Sequence, residues 1–138
     1  MGKILAIDYG MARVGLAITD ALKITVQPMD TLETKGDSEI LISKIKEVMA
    51  TSKLERVVIG YPKHMNGDIS ETAKKIDDVI VKIEALGLPV TKWDERLTTV
   101  MAYNTMKEMG IKQKDKKVHA DRLAAMYILQ DYLSRQNY

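Results

Sequence analysis

The chain begins with two short apolar runs on either side of a glycine turn. The runs are residues 4–7 and 14–18, and Gly10 lies between them. Apolar runs of strand length around such a turn predict a β-hairpin. Residues 23–32 alternate loosely and include Pro28. They predict a third strand at an edge of the sheet, because proline cannot donate to a central ladder.

A helix and a buried strand follow. Apolar residues recur at helical spacing between residues 39 and 50, after a predicted cap at Asp37 or Ser38. Residues 56–60 form a compact β-branched run, which is typical of a buried parallel strand. The helical stripe consists of Leu41, Ile45, Val48 and Met49.

The second half of the chain repeats this alternation. A cap at Ser70 and a stop at Gly87 bound a second predicted helix, and residues 88–93 predict another strand. Two further helices are predicted, one from Thr98 or Thr99 to Met109 and one over about 120–133. The order β-β-β-α-β-α-β-α-α predicts an α/β domain with a mixed sheet, in which antiparallel strands come first and parallel strands later.

Composition narrows the chemistry that the chain can perform. With 138 residues we expect one domain, and no linker or repeat interrupts it. There is no cysteine, so disulfides and thiolate metal sites are excluded, and carboxylates would favour Mg²⁺ or Mn²⁺. No apolar run reaches the roughly 18 residues of a membrane span, and no signal peptide is evident. We therefore expect a cytoplasmic protein with no membrane partner.

Charge and aromatic content bear on possible partners. The formal net charge is only +2, but five lysines fall between residues 107 and 117, where they could attract a polyanion or form an ordinary solvated loop. Only 5% of the residues are aromatic, which argues against base stacking as the main mode of recognition. Backbone and shape recognition of a nucleic acid is the favoured alternative.

Three acidic residues follow the ends or starts of predicted elements. Asp8 ends the first strand, Glu95 follows the last strand, and Asp121 is predicted to open the last helix. A carboxylate beside buried strands is costly to desolvate unless it meets a cation or hydrogen-bond donors. Two simpler interpretations stay open: Asp8 bonds backbone amides of its own turn, or Asp121 interacts with the positive end of the helix dipole.

Four separated motifs make the whole chain resemble the YqgF/RuvX-like family of bacterial proteins. The motifs are Asp8-Tyr9-Gly10-x-x-Arg13-x-Gly15, Gly60-x-Pro62 to Gly67, Asp94-Glu95-Arg96-x-Thr98-Thr99 and Lys117-x-x-x-Asp121-x-x-Ala124-Ala125. This resemblance implies an RNase H-like fold, related to Holliday junction resolvases, with carboxylates that hold divalent metal. It also implies a nuclease that processes the 5′ end of pre-16S rRNA or resolves DNA junctions.

Carried over motif by motif, the resemblance assigns Asp8, Glu95 and Asp121 as catalytic residues and metal ligands. In the resolvase relatives an acid ends the fourth strand, whereas here Gly60 stands at that place and Glu95 supplies a ligand from the neighbouring strand. Two divalent ions about 3.5–4 Å apart can activate water and neutralise the charge that develops during phosphodiester hydrolysis. We expect Asp8 to bridge the two ions.

Four cations adjoin these acids and motif glycines. Such residues are suited to contact phosphate, although each could instead pair with an acid. The predicted nucleic-acid-binding residues are Arg13, Lys63, Arg96 and Lys117.

The sequence leaves three functions to weigh. The first is a metal-dependent endonuclease acting on structured RNA such as pre-rRNA, and its close rival performs the same chemistry on branched DNA. The second is a non-catalytic RNA-binding ribosome-assembly factor on the same scaffold. The third comes from the Asp-x-Gly hairpins of actin-like ATPases, but those enzymes close two such domains around ATP, and this chain supplies one.

Overall fold

A central mixed sheet organises the computed structural model, which describes residues 2–61, 71–94 and 116–136, with only the backbone for residues 94 and 116–122. The sheet in these ranges has the strand order β3-β2-β1-β5-β6, and β4 pairs with β2. The first three strands are antiparallel and the later ones parallel to β1, as the sequence predicted. The strands are β1 (Lys3–Tyr9), β2 (Arg13–Thr19), β3 (Val26–Pro28), β4 (Leu32–Glu33), β5 (Leu54–Tyr61) and β6 (Val90–Asp94).

The predicted hairpin of β1 and β2 is confirmed. Asp8 lies opposite Gly15 and Tyr9 opposite Val14, and the turn closes when the Gly10 N–H donates to the Arg13 carbonyl at 2.9 Å. A Cβ at Gly10 would lie 2.6 Å from that carbonyl oxygen. The turn therefore requires glycine at this position.

The predicted third strand is present in a shorter and divided form. Residues 23–32 were expected to form one strand, but β3 and β4 are two short segments that both pair with β2. Asp20 explains the late start, because its Oδ1 accepts the N–H groups of Ile24 and Thr25 at 2.7 and 3.1 Å. A turn stabilised by a side-chain carboxylate competes locally with strand pairing. β3 lies at the sheet edge, as Pro28 indicated.

Two helices cover one face of the sheet. α1 (Ser38–Thr51) has Asp37 as its N-cap, with the carboxylate accepting the Glu39 N–H at 3.0 Å, and α2 (Glu71–Glu84) ends before Gly87 at φ +91°. Both were predicted within a few residues. With the odd-numbered side chains of β1 they enclose the larger core, which includes Leu5, Ile7, Leu16, Leu41, Ile45, Ile59, Ile76 and Ile83.

Among the described residues, one long helix covers the other face. α3 (Lys116–Gln136) packs against β1, β2, β3 and β5 through a smaller core. That core contains Ile4, Ala6, Ala17, Val58, Ala125, Ile128, Leu129, Tyr132 and Leu133. Three of these residues are alanines, so the helix can lie close to the sheet. Within the described ranges, neither α3 nor the other helices are long and apolar enough to cross a membrane.

The start of α3 differs from the prediction. The helix was expected from about residue 120, but Lys116 and Lys117 are already helical, so part of the predicted lysine-rich loop is helix. Lysine is a good helix former, which explains the extension. Asp121 therefore lies in the second turn and the first turn carries no acid. The interpretation of Asp121 as a partner of the helix dipole is wrong, because that effect is confined to the first turn.

Candidate active site

Asp8 lies at the end of the sheet where the predicted site is expected. It lies one residue before the carboxyl end of β1 and is half-buried, whereas Ala6 and Tyr9 beside it are buried. Side chains alternate along a strand, so Asp8 shares the face of Ile4 and Ala6, which is the face that α3 covers. The last helix and the first-strand carboxylate are thus on the same side of the sheet.

Glycines occupy the positions on both sides of Asp8. Gly15 lies directly opposite it on β2. On β5, Ile59 lies opposite Ile7, so Gly60 follows opposite Asp8. Both glycines are buried and carry no side chain toward the Asp8 carboxylate. The sheet therefore leaves room beside this carboxylate for a group that is not part of the chain.

Of the other two predicted ligands, the structure describes only the backbone of Asp121. Glu95 follows β6 but lies outside the described residues. Asp121 belongs to the helical backbone of α3, three and four positions before the buried Ala124 and Ala125. Within the side chains that the structure describes, no group of three or more His, Asp or Glu residues could hold a metal ion. The convergence of the three acids stays a prediction.

Hydrogen bonds fix the end of β6 on the face of α3. The Trp93 indole N–H donates to Asp131 Oδ2 at 2.7 Å, and Arg135 Nε donates to the other oxygen of that carboxylate at 3.3 Å. The indole also meets the Tyr132 ring edge to face, with centroids 5.5 Å apart. Sequence reasoning missed this contact. Its signal was the single tryptophan of the chain, two residues before Glu95.

A second group of contacts fixes β6 on the opposite face. Lys92 Nζ lies 3.1 Å from Asp77 Oδ1 on α2, and the Tyr61 hydroxyl donates to Asp77 Oδ2 at 3.1 Å. Lys92 Nζ also lies 4.3 Å from the centroid of the Tyr61 ring. Burial and the Asp77 carboxylate raise the pKa of Tyr61, which keeps its hydroxyl protonated as a donor. Tyr61 at the end of β5 and Lys92 in β6 are therefore both tied to α2.

Tyr9 faces away from the predicted metal site. It is only 4% exposed, which excludes it from base stacking, and burial raises the pKa of its hydroxyl.

The Tyr9 hydroxyl has no hydrogen-bond partner within the described residues and lies beside a cleft of about 330 Å³ between α1 and α2. Lys82 in this cleft bonds Ser38 Oγ and Glu39 Oε1 at 2.9 and 2.8 Å. The cleft combines cations with acids, and it is separate from the Asp8 face.

Two of the four predicted phosphate-binding residues, Arg13 and Lys117, lie in the described ranges. Arg13 begins β2 at the turn next to Asp8. Lys117 lies in the first turn of α3, although its side chain is not described. Lys63 and Arg96 lie outside the described residues. Of the set, Arg13 is the one that the structure locates at the edge carrying Asp8.

Comparison with known proteins identifies close relatives over nearly the whole length. Residues 2–135 match a family model described as RuvX, Holliday junction resolvase. The chain is 41% identical over 133 residues to a protein of Acetivibrio thermocellus named "Putative pre-16S rRNA nuclease", covering 95% of this chain and 94% of that protein. A Bacteroides fragilis protein of the same name is 37% identical over 137 residues, covering 96% of each chain.

Solved structures share the fold. RuvC of T. thermophilus, solved in complex with a Holliday junction substrate, matches with a TM-score of 0.58 and 18% identity over 99% of this chain and 96% of that one. The Fowlpox virus resolvase, solved with Holliday junction DNA, matches with a TM-score of 0.56 and 12% identity over 95% and 99% of the two chains. The predicted RNase H-like class is confirmed by this likeness.

Proposed function

The chain belongs to the RuvX family, and we propose from this premise that it is a divalent-metal-dependent endonuclease that processes the 5′ end of pre-16S rRNA. Relatives that carry this name match 94–96% of their own length. The observation that carries the proposal is the half-buried Asp8 between two glycines, on the sheet face that α3 covers. A carboxylate there is costly to desolvate unless it meets a cation or hydrogen-bond donors, and a divalent ion is a suitable partner.

The residues fit a magnesium or manganese ion. Asp8 offers hard oxygen donors, and Gly15 and Gly60 leave space beside them. Asp8, Glu95 and Asp121 would hold the metal. The bound metal would supply activation of water and neutralisation of charge on the transferred phosphate. The protein contributes the fixed positions of these carboxylates.

Phosphate contacts complete the proposal. Arg13 at the turn beside Asp8 is suited to a bidentate contact with a phosphate of the substrate. Lys63, Arg96 and Lys117 are proposed to extend this contact along the backbone. Such contacts position a nucleic acid without reading its sequence. The substrate is then recognised by its shape and by the distance of a phosphate from the carboxylates.

The decisive experiment compares wild-type protein with Asp8→Asn. Both are incubated with a 5′-extended 16S rRNA leader and with a four-way DNA junction, in Mg²⁺, in Mn²⁺ or in EDTA. We expect metal-dependent cleavage of the RNA by the wild type, and a loss of at least about 100-fold in Asp8→Asn, because the metal that would stabilise the reacting phosphate loses a charged ligand. Circular dichroism and urea unfolding verify that the variant remains folded.

Asp20→Asn is the matched control. Asp20 follows β2 at the opposite end of the sheet, and asparagine keeps the oxygen that accepts the Ile24 and Thr25 N–H groups. Cleavage should be unchanged in this variant. Equal losses in Asp8→Asn and Asp20→Asn would contradict a specific role for Asp8.

Two outcomes would replace the proposal. Faster cleavage of the four-way junction than of the RNA leader would favour a DNA junction resolvase, which is the description of the matching family. If neither substrate is cut with either metal, and Asp8→Asn supports normal rRNA maturation in cells, the protein is a non-catalytic assembly factor.

A further inference from the structure

The loop between β4 and α1 contains two consecutive residues in the left-handed region. Lys35 has φ +49° and Gly36 has φ +88°. Glycine adopts this conformation without steric cost, but lysine rarely does, and a single such residue costs of order 1 kcal/mol. A position with this backbone geometry would be more stable with glycine or asparagine. Lys23 also has a positive φ, +60°, but its Nζ pairs with Glu55 Oε1 at 2.9 Å, whereas no ion pair is found for Lys35 among the described residues.

Hydrogen bonds hold this loop against the β1–β2 turn. The N–H groups of Thr34 and Lys35 both donate to the Ala12 carbonyl, at 3.0 and 2.9 Å. The Asp37 N–H donates to the Thr34 carbonyl at 2.9 Å, and Thr34 is only 2% exposed. The position of Lys35 is thus fixed relative to Ala12, in the turn that directly follows β1.

The fixed position lies at the same end of the sheet as Asp8, namely the end at which β1 finishes. β4 pairs with β2, and β2 pairs with β1, so two strand spacings of about 4.8 Å separate the start of this loop from β1. The distance across the sheet is therefore about 10 Å. This is too far for contact with the phosphate that Asp8 serves, and close enough for a neighbouring phosphate of the same strand.

The side chain of Lys35 is available for such a contact. It is exposed, and the ion pairs found among the described residues do not include it, although they include several other lysines. The paired lysines are Lys23, Lys44, Lys82 and Lys92. Because the loop is already ordered, binding an anion here costs the rotamer freedom of the lysine side chain but no ordering of the loop.

We infer that Lys35 is a phosphate-binding residue that holds the substrate backbone beside the scissile phosphate. This inference rests on the proposed nuclease function and adds a residue that the sequence motifs did not assign. The hydrogen bond to Ala12 holds the backbone of Lys35 at the end of the sheet that carries Asp8 and Arg13, within reach of a nucleic-acid strand that runs past this end. The substrate class is a polyanionic nucleic-acid strand, recognised through its phosphates.

The test measures binding separately from cleavage. Wild type, Lys35→Gly, Lys35→Arg and Lys53→Gln are titrated in EDTA with a fluorescent RNA hairpin that carries a single-stranded 5′ extension, over a series of KCl concentrations. Lys35→Gly should bind more weakly, and the slope of log K against log salt should fall in magnitude by about 0.7–0.9, the value for one lost phosphate contact. Lys35→Arg keeps the charge and should retain the wild-type slope.

Two controls separate binding from stability. Lys53 is exposed at the opposite end of the sheet, beside the start of β1, so Lys53→Gln should leave the slope unchanged. The thermal midpoint of Lys35→Gly should not fall, because glycine relieves the left-handed strain. Weaker binding without lower stability supports a role in substrate contact.

Each remaining outcome is decisive. An unchanged salt slope in Lys35→Gly, an equal loss in Lys53→Gln, or no RNA binding by the wild type overturns the inference. If the wild type cleaves the rRNA leader but Lys35→Gly binds normally, this inference fails while the proposed function stands. If RNA binding depends on Lys35 but nothing is cleaved, the nuclease proposal fails and Lys35 remains a phosphate contact.

Discussion

The two faces of the sheet are built differently. One is closed by α1 and α2 over a large aliphatic core, in which Leu41, Ile45, Ile76 and Ile83 are fully buried. The other is covered by α3 over a smaller core with three alanines, and it carries Asp8 at its end. The first face supplies much of the buried apolar area and hence of the stability. The second face carries the Asp8 carboxylate and the space beside it, so stability and the proposed chemistry are divided between the faces.

The division explains why charged contacts cluster around β6. This strand lies at the edge of the described sheet and pairs with β5 alone. It is fixed by the Trp93–Asp131 bond on one face and by the Lys92–Asp77–Tyr61 contacts on the other. An edge strand that leads directly to a predicted metal ligand needs such support, because small displacements of a catalytic group can cost about 100-fold in rate.

The largest expected effect on stability is on the closed face. Ile76→Ala removes a fully buried side chain and should lower the free energy of unfolding by about 2–5 kcal/mol, because it leaves a cavity. Urea unfolding measures this change, and Mn²⁺ affinity of the folded protein should stay as in the wild type. Val81→Ala, on the same helix but 67% exposed, should change stability by no more than about 0.5 kcal/mol. A parallel loss of Mn²⁺ affinity in Ile76→Ala would break the division between the faces.

An intermediate effect is expected on the face of α3. Trp93→Phe keeps an aromatic ring against Tyr132 but removes the N–H that donates to Asp131, a charge-assisted bond worth about 1.5 kcal/mol in a half-buried setting. Unfolding should reveal this loss, and Mn²⁺ affinity should also fall, because the end of β6 moves. Arg135→Gln, which removes an exposed ion pair, should cost no more than about 0.5 kcal/mol. Unchanged Mn²⁺ affinity in Trp93→Phe would show that this bond serves stability alone.

The smallest change in free energy concerns the space beside Asp8. Gly15→Ala places one methyl group opposite Asp8 and should weaken Mn²⁺ binding about tenfold, equivalent to about 1.4 kcal/mol. Gly15 does not have a positive φ, so alanine is compatible with its backbone. Isothermal titration with Mn²⁺ measures the change. Ala17→Gly, two residues along the same face, is the control and should leave Mn²⁺ affinity unaltered. If Gly15→Ala binds Mn²⁺ as tightly as the wild type, the space beside Asp8 is not used.

The sequence predicted the fold well because its signals are local. The hairpin, the Asp37 cap and the parallel β5 strand follow from apolar runs, capping residues and glycines, and all three are confirmed. The predicted ends of helices and strands differ from the observed ones where two local preferences compete. The Asp20 turn shortened the third strand, and the helix propensity of lysine moved the start of α3 to Lys116.

The candidate site was predictable only in part. Asp8 could be found because an acid after a buried strand is unusual, and its glycine neighbours follow from the motifs. The Trp93–Asp131 bond joins residues 38 positions apart, and no local pattern reports such a pairing. The left-handed Lys35 was also missed, because the sequence alone favours glycine at such a position and Gly36 is its neighbour. The positions of Glu95 and Asp121 relative to Asp8 stay predictions.

The alanines between α3 and the sheet have a consequence for how this family can vary. Ala6, Ala17 and Ala125 are fully buried where the helix crosses the strands. Their methyl groups set the thickness of this layer, so a valine at one of them would act as a wedge and lift the helix. Exchange of small residues in this layer could therefore change the distance between the helix and the sheet, without altering any predicted ligand.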